Sequence, residues 1–301
     1  MFADFLPHDV YFLKEIEAIN LAQNIRRELV DTPLSQQAIA TTYVHQGIGK
    51  NPILLLHGFD SSILEFRKII PLLAPKSAAW AVDLLGFGFT ERLPKINYNP
   101  HTIKTHLYSF WQQLINQPVV LVGTSMGGAT AIDFTLTYSH AVQKLVLINS
   151  IGFSGDVSFG KYLFSPIDYW AVEYWRQRKL QALFFGSNFS NLKPSEIEAI
   201  RCATLHLEMS NWHEATISFT KSGGYSEITT KLSQIDKETL ILWGELDDTL
   251  PKIDAEKFTG AIARSQLIII KNCGHVPHLE QPSVVAEHIQ KFCEASKPLA
   301  N

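Results

Sequence analysis

The chain has 301 residues, 46% of them apolar and 18% charged, which suits one large core or two modest ones and excludes a disordered or fibrous protein. A formal charge of −3, with no dense Lys/Arg cluster interleaved with aromatic residues, excludes nucleic acid as an expected partner. Cys202, Cys273 and Cys293 are an odd number at long spacings with no Cys-x-x-Cys pair, so they read as free thiols in a reducing compartment. Met1 to Asp9 carries no basic n-region or cleavage site, and no run of eighteen apolar residues exists; the expected location is cytoplasmic.

Residues 11 to about 30 read as a helix, with Leu13, Ile16, Ile19, Ile25 and Leu29 separated by charges and Asp31-Thr32-Pro33 ending the run. Its imperfect apolar stripe fits a helix laid on the domain surface, with a peripheral membrane contact as the lesser expectation. From Ala38 short apolar strands alternate with helical stretches. Strands are expected at Thr41–His45, Ile53–His57, Ala78–Val82, Val119–Val122 and Lys144–Asn149, with helices over Leu64–Leu73, over Thr102–Ile115 and after Ser125. The rhythm resumes with a strand at Thr239–Trp243, a helix from Lys252, a strand at Gln266–Ile270 and a helix over Ser283–Phe292. Strands this apolar, alternating with helices, predict a mostly parallel sheet covered on both faces.

The interruption, about Gly152 to Ser226, holds fourteen of the 33 Phe, Tyr and Trp residues of the chain. It reads as helices placed by the preceding strand above the sheet's carboxyl edge, hence as a lid. Most of its rings are expected to hold the lid together, and several to line an apolar pocket.

Within the core, Val119-Val120-Leu121-Val122-Gly123-Thr124-Ser125-Met126-Gly127-Gly128 runs a buried strand through a Gly-x-Ser-x-Gly turn into a helix. Such a turn exposes a serine at a strained tip, and the flanking glycines remove the β-carbons that would collide as strand meets helix. Ser125 is therefore the candidate nucleophile, with Met126 N–H pointing at the oxygen of whatever it attacks. A serine hydroxyl needs a base, and the base needs a carboxylate to fix its tautomer. Gln266 to Ile270 leads into Asn272-Cys273-Gly274-His275, which presents His275 at the carboxyl edge. One strand earlier, Trp243-Gly244-Glu245-Leu246-Asp247-Asp248 places acids on the corresponding loop, in the order serine, acid, histidine.

These residues resemble the α/β-hydrolase superfamily, and the similarity extends from about Thr41 to Phe292. The resemblance implies a mostly parallel central sheet with helices on both faces and a helical lid inserted after the sixth strand. It divides the chain into an N-terminal helical extension (1–37), a core (38–151 and 227–301) and the lid (152–226). The family's Trp-Gly-x-x-Asp-x-x-x-Pro pattern picks Asp247 as the acid, with Asp248 as the fallback; Asn149-Ser150, where some relatives carry the acid, are not carboxylates. His278 is expected to be structural or to line the pocket. Leu56-His57-Gly58-Phe59 matches the family's oxyanion loop, so Phe59 N–H would pair with Met126 N–H, and Asp83 to Thr90 matches a turn that shapes the fold. Met209 to Trp212 and Lys221 to Tyr225 are further similar to a cyanobacterial and chloroplast group of these hydrolases, which points to a photosynthetic prokaryotic source.

Among the superfamily's reactions, a serine nucleophile disfavours haloalkane dehalogenases and epoxide hydrolases, which carry aspartate there. The leading expectation is a serine hydrolase cleaving a small-molecule carboxylic ester that is apolar and medium-to-long or bulky. The alternatives are a meta-cleavage C–C hydrolase, with Arg176, Arg178 and Lys179 as candidates to hold its dianionic substrate, another triad enzyme such as a thioesterase or lyase, and a slow-turnover receptor. The chain carries no metal-ligand cluster or nucleotide-binding motif, so no cofactor and no metal are expected.

Overall fold

In the computed structural model residues 1–189 and 192–295 are described, without the side chains of 187–189; residues 190, 191 and 296–301, part of the expected lid and core spans, lie outside. Eight strands, β1 (Arg26–Val30), β2 (Ile39–Gln46), β3 (Ile53–Leu56), β4 (Ala79–Val82), β5 (Val119–Thr124), β6 (Val142–Ile148), β7 (Thr239–Gly244) and β8 (Ser265–Ile270), form one sheet in the order β1-β2-β4-β3-β5-β6-β7-β8. β2 is antiparallel to both its neighbours, and every pairing from β4 to β8 is parallel. The helices are α1 (Ile16–Gln23), α2 (Ile70–Leu73), α3 (Pro100–Phe110), α4 (Met126–Thr137), α5 (Ile167–Phe189), α6 (Pro194–Thr204), α7 (Trp212–Ser222), α8 (Ile253–Ala261), α9 (Pro277–Glu280) and α10 (Pro282–Glu294).

Because successive strand residues face opposite sides, the continuous apolar runs of β3, β5 and β7 feed two cores. Leu54, Leu56, Leu121, Leu147, Ile241 and Trp243 pack with Ile103, Phe134 and Phe258 of α3, α4 and α8. Leu55, Val120, Val122, Val146, Leu240 and Leu242 pack with Leu21, Leu73, Val285 and Ile289 of α1, α2 and α10 on the other face. This is the α/β-hydrolase architecture, with the helical lid α5 to α7 inserted after β6.

At the N-terminus the structure departs from expectation. The helix expected over 11 to about 30 is only α1, closed at Asn24, and Arg26–Val30 is instead the antiparallel edge strand β1, with Arg26 opposite Tyr43 and Val30 opposite Ile39. The open edge of β2 supplies backbone partners that outweigh the weak helical periodicity, and Leu29 turns to solvent. The helix expected over Leu64–Leu73 likewise splits into a 3-10 turn (Ile63–Phe66) and α2, whose second residue is Pro71. Parallel register aligns the carboxyl ends: Leu56 lies opposite Gly123, Thr124 opposite Ile148, Ile148 opposite Leu242 and Gly244 opposite Ile270. The loops carrying His57 to Asp60, Ser125, Asn149, Asp247 and His275 therefore all leave the sheet on one side.

Candidate active site

Ser125 joins β5 to α4 with φ 51° and ψ −119°, a conformation that side chains other than glycine rarely adopt. Close approach makes it possible: a β-carbon on Gly123 would lie 2.2 Å from Gly127 O, and one on Gly127 would lie 2.1 Å from Leu56 O. Ser125 N–H donates to Ile148 O at 3.0 Å, and Ser125 O accepts from Ile151 N–H at 3.1 Å, so the turn is tied to the end of β6.

The histidine and acid meet on loops that leave the same edge of the sheet. His275 Nδ1 lies 2.9 Å from Asp247 Oδ2 and 3.2 Å from Oδ1. Asp247 Oδ1 also accepts from Thr249 N–H at 2.8 Å and Leu250 N–H at 2.9 Å, and Oδ2 from the side-chain amide of Asn149. Burial works against ionisation of Asp247, but the hydrogen bonds from His275, Leu250 and Asn149 outweigh it and hold the carboxyl below its usual range. The two loops touch closely enough that a β-carbon on Gly244 would lie 2.0 Å from Gly274 O. Asp248 is exposed, and its carboxylate accepts only from Thr249 Oγ1, at 3.3 Å, among the described residues.

The loop after β3 leans on Ser125, since a β-carbon on Gly58 would lie 3.4 Å from Ser125 Cβ and 3.9 Å from its Oγ. Gly58 N–H is taken by Glu65 Oε2 at 3.2 Å, whereas neither Phe59 N–H nor Met126 N–H has a protein acceptor among the described residues. His57 is buried; its Nδ1 lies 2.8 Å from Gly58 O and its Nε2 accepts from Leu84 N–H at 3.1 Å, so both ring nitrogens serve the fold. His278 is buried against Glu65, Nε2 to Oε1 3.0 Å. Glu65 thus ties the loop of Gly58 to the segment that follows His275; burial opposes its ionisation, and His278 still brings its pKa down to about 2. Asp83 caps the turn that ends at Thr90, accepting from Ile63 N–H at 2.7 Å and Phe89 N–H at 2.8 Å.

The structure therefore brings Ser125, Asp247, His275, Phe59 and Met126 to one edge, while Asp248 faces solvent and His278 turns to Glu65. Two residues escaped the sequence reading. Asn149 was informative there only as a missing carboxylate, yet it aligns Asp247. Asp60, next to Phe59, is a buried carboxylate that receives four lid side chains. The lid's rings divide: Trp212, Phe219 and Tyr225 are buried, whereas Phe159, Tyr162, Phe164, Tyr169, Trp170, Tyr174 and Trp175 are exposed. Most of these rings therefore do not hold the lid together as expected, because exposed ones outnumber buried ones among the described residues.

The family model for the alpha/beta hydrolase fold matches residues 51–282. The chain is 34% identical to the alpha/beta hydrolase domain-containing protein VTE7 of Arabidopsis thaliana over 97% of this chain and 90% of that one. It is 28% identical to the 2-hydroxy-6-oxo-2,4-heptadienoate hydrolase of Pseudomonas putida, over 80% and 88% of the two chains. Among solved structures it resembles a serine hydrolase involved in carbazole degradation, with TM-score 0.69 and 26% identity over 89% of this chain and 98% of that one. A thermophilic esterase from Thermogutta terrifontis shares the fold at TM-score 0.69 and 23% identity, over 89% and 97%.

Proposed function

The chain belongs to the alpha/beta hydrolase family, and from that premise we propose that it is a carboxylic ester hydrolase acting through Ser125, His275 and Asp247. The observation that carries this reading is the His275–Asp247 pair at 2.9 Å on the same sheet edge as a serine held at φ 51°. With Nδ1–H committed to Asp247, His275 Nε2 is the basic nitrogen. It takes the Ser125 proton as Oγ attacks the ester carbonyl, then returns it to the departing alkoxide; water enters by the same route and frees the acid. The amides of Phe59 and Met126 would hold the oxyanion, each contributing about 3 kcal/mol to the transition state. No cofactor or metal enters this scheme.

The substrate we assign is a small-molecule apolar ester of medium-to-long or bulky shape. We take 152–226 as the lid and 38–151 and 227–301 as the core, to which the N-terminal segment 1–37 adds α1 and the edge strand β1. Trp170 and Tyr174, 69% and 64% exposed, lie on the side of α5 turned away from Lys179 and the core, with Tyr162 and Phe164 just before the helix. Asp168 and Glu173 are paired with Lys221 and with Arg176, whereas Lys161 and Arg178 have no carboxylate partner among the described residues. Exposed aromatic rings of this kind fit the interface of a lipid bilayer, the source we propose for the ester. No helix among the described residues is long and apolar enough to cross a membrane. The cysteines are free, Cys202 and Cys273 buried, in keeping with a cytoplasmic location.

The named C–C hydrolases among the relatives favour meta-cleavage hydrolysis as the second reading. Against it, Arg176 is paired with Glu173 and Lys179 with Asp60, so two of the three cations that would meet a dianion are engaged. Purified protein assayed on p-nitrophenyl esters of graded chain length and on a 2-hydroxy-6-oxo-dienoate decides between them. Turnover of the dienoate above that of every ester would overturn the ester reading, and slow turnover of all would favour a receptor or a lyase.

A further inference from the structure

Asp60 stands one residue after Phe59 in the loop that leaves β3, with φ 48° and 1% of its surface exposed. Its carboxylate is filled entirely from the lid. Oδ1 accepts from His206 Nε2 and Trp212 Nε1, both at 2.9 Å, and Oδ2 from Trp175 Nε1 at 3.2 Å and Lys179 Nζ at 2.7 Å. Lys179 Nζ also donates to the main-chain oxygen of Asp60 at 2.7 Å. Burial opposes the charge, yet the Lys179 ammonium and the hydrogen bond from His206 hold the carboxyl well below its usual range. Next door, the Phe59 ring packs on Phe219 of α7 at 5.8 Å between centroids.

Two consecutive residues of one loop are thus gripped by three separate pieces of the lid. A carboxylate needed only to seat α5 would not require its own carbonyl to be captured by the same ammonium. Holding both fixes the backbone on the carboxyl side of Phe59, in a left-handed conformation that a free loop would abandon. Donor placement sets how well an oxyanion is held, and its loss appears in the chemical step more than in substrate binding.

We propose that Asp60 is a positioning residue through which the seated lid holds the Phe59 amide in register for the oxyanion. This rests on the reading of Ser125 as nucleophile and of Phe59 and Met126 as oxyanion donors. Departure of the lid would then dissolve the oxyanion hole, while the Asp247–His275 pair, which makes no contact with Asp60, would stay intact.

The test uses the full chain carrying Asp60→Asn, Lys179→Met or Lys179→Arg, each checked for a cooperative thermal transition. Lys179 is partly exposed, so Lys179→Met keeps the proposal open to refutation if Asp60→Asn fails to fold. For p-nitrophenyl acetate, too short to need the lid, kcat should fall about tenfold or more in Asp60→Asn and severalfold in Lys179→Met, with KM little changed. Affinity for an alkyl boronic acid, whose adduct with Ser125 carries the oxyanion, should fall by a similar factor, and Lys179→Arg should restore most of both. Folded variants that keep wild-type kcat and boronate affinity, and lose only stability or the KM for long esters, would overturn the proposal and leave Asp60 a lid anchor. An active Ser125→Ala would instead bring down the nucleophile assignment on which the proposal stands.

Discussion

Asn149 donates its side-chain amide to Oδ2 of Asp247, the same oxygen that meets His275 Nδ1 at 2.9 Å. Asn149 is itself held in place, since it adopts φ 42° and its own Oδ1 accepts from Gly244 N–H at 3.1 Å, across β6 and β7. The carboxylate therefore cannot rotate away from the imidazole without breaking bonds to two strands' ends.

Asp247→Asn should lower kcat by about four orders of magnitude by imposing the wrong tautomer on His275, while the exposed Asp248→Asn should be mild. Asn149→Ala should cost about tenfold. Asn149→Asp should cost more, because it replaces a donor with a like charge. Steady-state kinetics on one p-nitrophenyl ester gives the ranking, and a larger loss in Asp248→Asn than in Asp247→Asn would reverse the choice of acid.

Ser125→Ala should leave less than about a hundredth of wild-type kcat while keeping the thermal transition. Ser125→Gly should be equally inactive but melt no lower than the parent, since relief of the φ 51° strain offsets glycine's entropic cost. A marked fall in melting temperature for Ser125→Gly would show that the turn is not strained.

His106 is buried with Nε2 2.8 Å from Thr41 Oγ1, and burial pushes its pKa down to about 4. The unfolded chain takes up this proton near pH 6.5 and the fold refuses it until about 4. Stability contributed by the neutral ring is thus complete above 6.5 and is lost as pH falls between these values, by up to about 3 kcal/mol. Urea denaturation at pH 7 and pH 4.5 should show this slope, flattened in His106→Gln. Equal slopes in the two proteins would assign the acid lability elsewhere.

On soluble esters kcat/KM should rise from acetate towards medium and long acyl chains; a steady fall would remove the extended apolar site. Trp170→Ala/Tyr174→Ala should bind vesicles containing phosphatidylglycerol more weakly than the parent, with turnover of p-nitrophenyl acetate unchanged. Equal cosedimentation of the two proteins would detach the aromatic face of α5 from lipid.

The core strands were legible because a run such as Leu54 to Leu56 or Val119 to Val122 is buried on both sides and has no other place to go. Gly123 and Gly127 announced the turn for an equally local reason. What stayed hidden depends on distant partners. Arg26–Val30 becomes a strand only because β2 offers an edge, and Trp170 reads as core until α5 is seen to turn it outward. Asn149 and Asp60 look like ordinary loop residues until chain 98 and 115 to 152 positions away closes on them.

Because α5 to α7 are spliced between two neighbouring strands, the chain departs just after Asn149 and comes home just before β7, whose following loop carries Asp247. The groups we propose for proton transfer and the helices we propose as substrate cover are thus separate stretches of polypeptide, free to diverge at different rates. A lid borrowed from a relative could bring a new preference without disturbing the relay, provided that its first long helix supplies a cation for Asp60.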